Sequence, residues 1–385
     1  MPPLALYVHV PWCLRKCPYC DFNSHAVDGS QSIPQQAYLA ALCSDLESTL
    51  PQVWGRTVHS VFIGGGTPSL LSGECVDRLL SDARARLRIS SESEITLEAN
   101  PGTLEAGRYA QYRHAGVNRL SIGVQSFDDE KLRALGRIHD GAQAASALAQ
   151  ARREFANFNI DLMIGLPGQS EQDALDDVQR ALQFDPPHIS VYQLTLEANT
   201  LFHKYPPPNL PNEAQAGAIQ ESVEELLSRE GYEHYEVSAW ARGGAVARHN
   251  LNYWTFGDYL GIGAGAHAKL SLPDRILREE RYRLPQSYLA HAARGEFVAS
   301  SRTLTSADLI FEFMLNALRL RAGFARALFT QRTGLALALI EPTLRAAQAR
   351  GLLELTSQRI VPTELGMRFL NDLQAMFLEP AAEGA

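Results

Sequence analysis

The sequence has few cysteines, no long apolar run and no excess of positive charge. Five cysteines in 385 residues are too few for a disulfide-rich secreted scaffold. No run of 18 or more apolar residues occurs, and no charged start precedes an apolar stretch, so the sequence predicts neither a membrane helix nor a signal peptide. The formal charge of −8 gives no support for nucleic acid binding. We therefore expect a cytoplasmic protein in a reducing compartment.

Short apolar runs rich in β-branched residues recur along the first half of the chain, each separated by enough residues for a helix. Strands joined by helical crossovers pair in parallel, so the sequence predicts an α/β fold with a six-stranded parallel sheet. An open doubly wound sheet and a curved partial barrel both fit, and in either one function gathers at the carboxyl ends of the strands. The predicted strands cover residues 4–10, 60–64, 94–99, 119–124, 159–164 and 188–194.

The second half of the chain has a different pattern. A proline-rich segment at 204–211 ends the α/β alternation because its prolines remove backbone donors and block a helix. A helix is predicted over 213–229, and another over 338–349 precedes a hairpin at 352–363 that, with its neighbours, resembles a winged helix. The predicted regions are 1–211, a partial barrel; 212–300, a segment covering it; and 301–385, a winged-helix-like α+β domain.

The charge of the C-terminal region bears on its function. Residues 301–385 contain nine Arg, no Lys and eight acidic residues, a net charge of about +1. Winged helices that bind DNA rely on positive charge to neutralise phosphates, so this balance does not favour DNA binding. A protein-docking or substrate-covering role is the better expectation.

Cys13, Cys17 and Cys20 form a CxxxCxxC triplet with no fourth cysteine nearby. A cubane of four irons and four sulfides takes one protein ligand per iron, and thiolates are the soft donors that suit it. Three thiolates leave one iron open to bind a small molecule through its amino and carboxylate groups. The triplet therefore favours an iron–sulfur cluster that also binds substrate, and a zinc site completed by His9 or His25 stays an alternative. A disulfide would leave one thiol unpaired.

The other two cysteines have the spacing of core residues. Cys43 shares an apolar helical stripe with Leu39 and Leu46, and Cys75 begins another amphipathic run. We expect both to pack in the core and not to bind the metal.

A glycine-rich turn, GGGTPS at residues 64–69, follows the second predicted strand directly. Glycines let a ligand touch the backbone because no Cβ intervenes, although a plain tight turn is an equal alternative. Glu98 and Gln125 end the third and fourth strands, where polar side chains converge on a shared opening. Arg137 follows, and Asp161 lies inside an apolar strand, where its carboxylate needs a partner. Strand-end capping, or for Asp161 a salt bridge to an arginine, stays open.

Together these motifs resemble those of the radical S-adenosylmethionine (SAM) enzymes. More narrowly, they resemble the group around oxygen-independent coproporphyrinogen III oxidase. The resemblance covers roughly residues 4–269 and implies a partial parallel (β/α)6 barrel. It rests on YVHVPWC at 7–13, the cysteine triplet, the glycine turn, Glu98, QSF at 125–127 and GLPGQ at 165–169.

The resemblance implies a [4Fe-4S] cluster on Cys13, Cys17 and Cys20 with exchangeable SAM on the fourth iron. In this family an electron from the reduced cluster cleaves the SAM sulfonium, and the protein positions the cofactor. It implies no catalytic residue of the protein's own. The implied SAM contacts are Tyr7 and Tyr19 beside the cluster; Gly65, Gly66 and Thr67 at the methionine end; Arg137 on the carboxylate; and Glu98, Gln125 and Asp161 on the ribose and other polar atoms.

Three features separate the chain from the oxidase. Phe22 stands where the oxidase has a further cysteine, and only twelve residues precede Cys13, so we expect substrate contacts from a longer N-terminal stretch to be missing. The HNxxYW motif at 249–254 resembles the signature of the haem chaperones of this group. His249 beside two aromatic residues would be the axial ligand of haem iron, with a packed core histidine as the alternative.

These features favour a haem chaperone on a radical SAM scaffold, which binds haem and passes it to haem-dependent respiratory proteins. Whether SAM is cleaved in its normal cycle is left open. The first alternative is the oxidase itself, which decarboxylates coproporphyrinogen III by a radical route; a radical methyltransferase or cyclopropanase ranks lower. The expected partners are haem and its recipients and not nucleic acid. A homodimer and a transient membrane contact through the recipients are left open.

Overall fold

The computed structural model of the protein describes residues 1–27 and 33–378. The strands in these residues are β1 (Leu4–Val10), β2 (Trp12–Cys13), β3 (His25–Ala26), β4 (Thr57–Gly65), β5 (Arg88–Ala99), β6 (Arg119–Gln125), β7 (Phe158–Ile164), β8 (His188–Gln193), β9 (Glu233–Glu236), β10 (Ala239–Ala241), β11 (Asp258–Ile262), β12 (His267–Ser271), β13 (Ile276–Arg281), β14 (Val298–Thr303), β15 (Phe324–Ala325), β16 (Leu353–Leu355) and β17 (Arg359–Pro362).

The helices alternate with the strands in the first half of the chain and cluster near its end. They are α1 (Gln35–Val53), α2 (Gly73–Arg86), α3 (Thr103–Ala106), α4 (Tyr109–Ala115), α5 (Asp129–Ala134), α6 (Gly141–Glu154), α7 (Glu171–Leu182), α8 (Leu201–Lys204), α9 (Glu213–Arg229), α10 (Arg248–Trp254), α11 (Pro285–Ala292), α12 (Ser306–Ala317), α13 (Arg326–Thr333), α14 (Glu341–Ala349), α15 (Glu364–Arg368) and α16 (Leu370–Ala375). Within the described residues, no helix is both long and apolar enough to cross a bilayer.

One large sheet carries the six predicted strands side by side. Its order is β14-β13-β12-β11-β1-β4-β5-β6-β7-β8-β10-β9, and β1, β4, β5, β6, β7 and β8 pair in parallel in that order. This confirms the predicted α/β class with a parallel-dominated sheet. The sheet also contains β11, which pairs in parallel with β1 on its other side and which the sequence did not predict.

The crossover helices begin at side-chain caps and bury one face against the sheet. Asp140 and Gln143 form a capping box at the start of α6, and Ser170 and Asp173 form one at the start of α7. The apolar interiors of β1, β4, β6 and β7 and the inner faces of α1, α2, α4 and α6 make one continuous core. Because these six strands run parallel, their carboxyl ends lie at the same edge of the sheet.

The C-terminal residues form a second core. Phe313, Phe329 and Leu344 are fully buried there, among helices α12, α13 and α14. A small antiparallel sheet of order β15-β17-β16 completes the unit, with the predicted hairpin as β16 and β17. Arg319 pairs with Glu236 at 3.2 Å and links the unit to the large sheet. Residues 379–385 of the predicted third region lie outside the described residues.

The proposed boundaries at 211 and 300 stay predictions. The large sheet continues past residue 211, because β9 to β14 extend it at both edges. Buried charges hold these added strands in place: Asp258 pairs with Lys269 at 3.0 Å and with Arg56 at 2.8 Å. The middle region is therefore part of the same sheet as the first.

Candidate cofactor site

The three predicted cluster ligands lie in one loop that leaves β1 and turns across the end of the sheet. Cys13 ends β2, which pairs with β3 and so fixes the base of the loop. The Thr67 hydroxyl donates to Cys13 Sγ at 3.4 Å, and a weak contact of 3.8 Å joins Cys20 Sγ to Ser24 Oγ. Burial raises the pKa of Cys13, and the nearby Cys20 and Cys17 thiols raise it further. The three cysteines therefore share one loop, in which hydroxyl groups lie beside Cys13 and Cys20.

The glycine turn presses against this loop. Gly65 has a φ of +120°, and a Cβ on it would meet the His9 ring at 2.7 Å. A Cβ on Gly66 would lie 2.6 Å from the Trp12 carbonyl oxygen and 3.1 Å from Cys13 Sγ. Both positions need glycine, the first because of its left-handed backbone and the second because of close approach. The turn is thus packed against the cysteine loop.

Arg137 reaches the loop from the other side. Its Nη1 lies 3.8 Å from Cys17 Sγ, and its Nη2 donates to Asn100 Oδ1 and to the Gly123 carbonyl, each at 2.7 Å. Its shielded Nε has no hydrogen-bond partner in the described part of the chain. A buried guanidinium with a spare donor is suited to an anionic group.

Two carboxyl groups lie in the interior below the loop. Glu98 Oε2 accepts a hydrogen bond from the Gly65 amide at 3.0 Å, and burial, with a smaller effect of Asp161, raises the pKa of Glu98 to about 7. Asp161 accepts from Ser121 Oγ at 3.1 Å and from Asn159 Nδ2 at 2.7 Å, and burial raises its pKa as well. Neutral donors are therefore its partners, and no arginine pairs with it among the described residues.

The remaining predicted SAM contacts border the same space. The Tyr7 hydroxyl and His9 Nδ1 share a hydrogen bond of 2.9 Å, and Tyr19 packs near Phe202 beside the loop. Gln125 ends β6 with a φ of 69°, and this conformation turns the chain at the strand end. The structure thus brings the predicted cysteine, glycine, tyrosine and polar residues to one end of the sheet.

His249 lies deeper in the barrel, with its ring centroid 6.3 Å from that of Tyr7. It is 1% exposed, its Nδ1 shares a hydrogen bond of 3.1 Å with Ser60 Oγ, and its Nε2 shares one of 3.1 Å with the Tyr253 hydroxyl. Burial lowers the pKa of His249 to about 3, and Arg119 contributes. With both ring nitrogens engaged, neither is free to bind iron in this conformation. The role of His249 as axial ligand stays a prediction, and this geometry weighs against it.

The zinc alternative also finds little support in the geometry. Both ring nitrogens of His9 are hydrogen bonded, to the Tyr7 hydroxyl and to the Asn23 carbonyl, and His25 Nε2 faces Asn23 Oδ1 at 3.3 Å. Across residues 1–27 and 33–378, no three His, Cys, Asp or Glu side chains are grouped to hold a metal ion. A cubane places each thiolate on a different iron, so it tolerates a wider spread of sulfurs.

Comparison with known proteins identifies the family. Residues 7–181 match the model of the radical SAM superfamily, and residues 304–369 match the HemN C-terminal domain. The chain is 48% identical over 381 residues to the heme chaperone HemW of Escherichia coli K12, covering 98% of this chain and 99% of that one. The chain belongs to the HemW family. It is also 44% identical to HemW of Haemophilus influenzae, covering 98% of each chain, and 33% identical to HemW of Bacillus subtilis, covering 97% and 99%.

A solved structure agrees with this membership of the HemW family. The coproporphyrinogen III oxidase HemN from Escherichia coli, a radical SAM enzyme, superposes with a TM-score of 0.82 at 25% identity. The match covers 98% of this chain and 90% of that chain. The predicted combination of a radical SAM α/β fold with a winged-helix-like C-terminal unit is therefore correct.

The radical SAM superfamily implies a [4Fe-4S] cluster and SAM, and the residues of this HemW family member fit both groups. The cysteine loop supplies three soft donors, as a cluster with one open iron requires. Gly65 and Gly66 form a turn without side chains, the glycine cradle, which packs so closely on the cysteine loop that a Cβ on either would meet His9 or the Trp12 carbonyl at 2.7 or 2.6 Å. Arg137 places its Nη1 3.8 Å from Cys17 Sγ, and its Nε has no partner among the residues that the structure describes. These are the features that a cluster and an amino acid carboxylate would use.

Two parts of the site were missed by sequence reasoning. Asn100 joins Arg137 to Thr67 through hydrogen bonds of 2.7 and 3.1 Å; its position directly after β5 was the available signal. A cavity of about 410 Å³ opens beside the cysteine loop, with Tyr7 and Glu98 in its floor and Phe22 among its walls. This cavity, the mouth pocket, is formed partly by β11 and β12, which the sequence did not predict.

Proposed function

We propose that the protein is a haem chaperone that holds a [4Fe-4S] cluster, SAM and haem, and delivers haem to respiratory haem proteins. The observation that carries the proposal is the match to proteins named heme chaperone HemW over 98% of the chain. The gathering of three thiols, a glycine cradle and Arg137 at one end of the sheet supports the cofactor part.

In this proposal Cys13, Cys17 and Cys20 bind the cluster, which supplies an electron to SAM when both are bound. Gly65 and Gly66 let the methionine end of SAM approach the backbone, and Arg137 pairs with its carboxylate through the guanidinium fork. The Thr67 hydroxyl, which donates to Cys13 Sγ, steadies that sulfur. Tyr7, Tyr19, Thr67, Glu98, Gln125 and Asp161 would complete the SAM pocket.

The carboxyl of Glu98 has a further property in this proposal. Its pKa of about 7 leaves it partly protonated at neutral pH, so it can donate or accept a hydrogen bond. That suits contact with a polar group of SAM such as a ribose hydroxyl or the amino group. Asp161, held by Ser121 and Asn159, lies deeper and would act mainly by keeping the interior polar.

The delivery step requires partners. The recipients would be haem-dependent respiratory proteins, met in the cytoplasm or at a membrane surface that they occupy. A homodimer is compatible with the proposal. Nucleic acid is not a proposed partner, because the chain carries a formal charge of −8.

The competing function is radical decarboxylation of coproporphyrinogen III, favoured by the structural match to HemN. Phe22, which is 60% exposed, replaces the cysteine that follows the triplet in the oxidase and counts against it. Two assays on the cluster-reconstituted protein separate these functions. Haem is titrated while the Soret band is followed, and anaerobic decarboxylation of coproporphyrinogen is measured on the same preparation.

The proposal expects a saturable shift of the Soret band with about one haem per chain and no turnover of coproporphyrinogen. Transfer is then tested by mixing the haem-loaded protein with a recipient apoprotein and following the recipient's haem spectrum. The chaperone proposal would be overturned if added protein left the Soret band of free haem unchanged and the same preparation decarboxylated coproporphyrinogen.

A further inference from the structure

We infer that haem binds at the mouth pocket, with its iron coordinated by Nε2 of His267. This inference rests on the proposed function, since it names the place and ligand of the haem that the chaperone would carry. It differs from the sequence-based prediction, which assigned the iron to His249.

Comparison of the histidines near the site leads to His267. His249 is buried and both its ring nitrogens are engaged, by Ser60 and Tyr253. His9 lines the mouth pocket, but its ring nitrogens are bound to the Tyr7 hydroxyl and the Asn23 carbonyl, each at 2.9 Å. Of the two histidines in the pocket wall, His267 is the one without a hydrogen bond to the described residues, and its side chain is 56% exposed.

His267 has a carboxylate neighbour, Glu280, of the kind that orients a metal-binding imidazole. Residues His267 and Glu280 are opposite each other on β12 and β13, and His267 Nδ1 lies 3.9 Å from Glu280 Oε1. A carboxylate beside Nδ1 favours the tautomer that carries its proton there and leaves the Nε2 lone pair for a metal. Iron of haem accepts such a neutral imidazole as an axial ligand.

The rest of the pocket suits the porphyrin. The Phe22 ring is 60% exposed in the pocket wall and offers an apolar face to the macrocycle. Arg283 is exposed in the same wall and forms no ion pair within the described residues, so its guanidinium is free for a propionate. Asp21 also lines the pocket and would repel a propionate. The propionate edge is therefore expected on the Arg283 side.

A single residue holds these walls together. Asn23 Nδ2 donates to the carbonyls of Ala264 and Arg283, each at 3.0 Å, and so fastens the cysteine loop to the β11–β12 turn and to the end of β13. Gly265 leaves room for this contact, since a Cβ there would meet Asn23 Nδ2 at 2.1 Å. Phe22 from the loop and His267 from β12 are thereby kept in the lining of one pocket.

The size and position of the pocket fit temporary carriage of haem. Its volume of about 410 Å³ is at the lower end of small-molecule sites, so part of the porphyrin would stay outside. An exposed edge gives a recipient protein access to the haem. Tyr7, Gly65 and Glu98 line the pocket and also belong to the proposed SAM site, so with SAM bound the haem would occupy the part of the pocket lined by Phe22, His267 and Arg283.

The test is haem titration of the full-length, cluster-reconstituted protein and of its His267→Gly variant, followed by absorbance and electron paramagnetic resonance. We expect the variant to bind haem at least about tenfold more weakly with an altered Soret band, and added imidazole to restore the wild-type spectrum. His59→Gly is the matched control, because His59 is exposed at the opposite end of the strands. His249→Ala tests the earlier assignment in the same assay.

The outcomes separate this inference from the proposed function. If the wild-type protein binds no haem, the chaperone proposal itself fails. If the wild-type protein binds haem and His267→Gly keeps its affinity and spectrum, only the assignment to His267 is overturned. A spectral change in the His249→Ala variant and not in the His267→Gly variant would assign His249 as the ligand of haem iron.

Discussion

The interior of the barrel and its mouth contain similar polar residues, but these residues differ in their hydrogen bonding. In the interior, side chains bond mainly to one another: Asn159 joins Ser121 at 2.8 Å and His188 at 2.7 Å, and His249 is held by Ser60 and Tyr253. Near the mouth, the Arg137 Nε has no hydrogen-bond partner in the described residues, and the half-exposed His267 imidazole makes no hydrogen bond to them. Thr96 Oγ1 and Arg119 Nε in the interior lack partners as well, so what distinguishes the mouth is access: His267 borders an open cavity of about 410 Å³ that a ligand can enter. The mouth is therefore where ligands are expected.

The largest expected effect is at the cysteine loop. Cys17→Ser should abolish the brown absorbance near roughly 400 nm and the bound iron, because a cubane on two thiolates is not retained. Iron analysis and the absorbance spectrum after reconstitution measure this. Cys43→Ser is the control, since the Cys43 thiol packs beside α2 and donates to Asp82 at 3.1 Å. Equal loss of iron in both variants would contradict a special role of the loop.

The next effect concerns the glycine cradle. Gly66→Ala places a Cβ 2.6 Å from the Trp12 carbonyl oxygen, so the turn must shift away from the cysteine loop. We expect SAM affinity, measured by calorimetry on the cluster-loaded protein, to fall by more than about tenfold. The matched control is Gly217→Ala in α9, where nothing lies within 4 Å of the added Cβ. That variant should gain about 0.5–1 kcal/mol in free energy of unfolding and keep its SAM affinity.

The pH dependence of the free energy of unfolding should distinguish Glu98, which lines the mouth pocket, from carboxyl groups on the surface. The pKa of Glu98 is raised from 4.5 to about 7, so the folded protein binds a proton that the unfolded chain releases. The stability contributed by this group is complete below pH of about 4.5 and is lost as pH rises towards about 7. The contribution of Glu98 protonation to the free energy of unfolding is at most about 3 kcal/mol.

Glu98→Gln in the cofactor-free protein should remove that part of the pH dependence of the free energy of unfolding. Urea unfolding at a series of pH values between about 4.5 and 8 measures it. The exposed Glu92→Gln, near the start of the same strand, should leave the profile unchanged. Parallel profiles for wild type and Glu98→Gln would show that Glu98 has an ordinary pKa.

The smallest effect on ligand binding is expected in the interior. His249→Ala leaves Ser60 and Tyr253 without a partner, which costs about 1–3 kcal/mol of unfolding free energy. Haem affinity should stay within about twofold of wild type if the mouth binds haem. Denaturant unfolding and haem titration on the same variant report the two quantities. A large loss of haem affinity with unchanged stability would reverse the comparison between interior and mouth.

The sequence was sufficient for the six predicted parallel strands because most of them are largely apolar runs. Residues 4–10 were predicted as a strand and form β1 with the same bounds. The strand β5 begins earlier than predicted, since Ile89 is the one apolar residue among its first six, RISSES, and makes no apolar run. The strand β11 was missed because it starts at a charged residue, Asp258, whose partners Lys269 and Arg56 are distant in sequence.

The site was predictable where chemistry resides in short motifs and not where it depends on pairing across the fold. Cys13, Cys17, Cys20 and the glycine turn are local signals, and the structure brings them together. The surroundings of His249 are set by Ser60, which lies 189 residues earlier in the chain. The partner of Nε2, Tyr253, is local, four residues on in the same motif, but no local pattern could reveal that Nδ1 is engaged as well. The exposure of His267 depends in the same way on the pairing of β12 with β13.

The hydrogen bonds of Asn23 have a consequence for haem binding when the protein is exposed to oxygen. They tie the loop that would carry the cluster to the strands that would carry haem. By reciprocity of linked equilibria, a loop stabilised by its cluster would bind haem more tightly, and bound haem would protect the cluster by the same factor. We expect oxygen damage to the cluster to loosen Phe22 and release the haem.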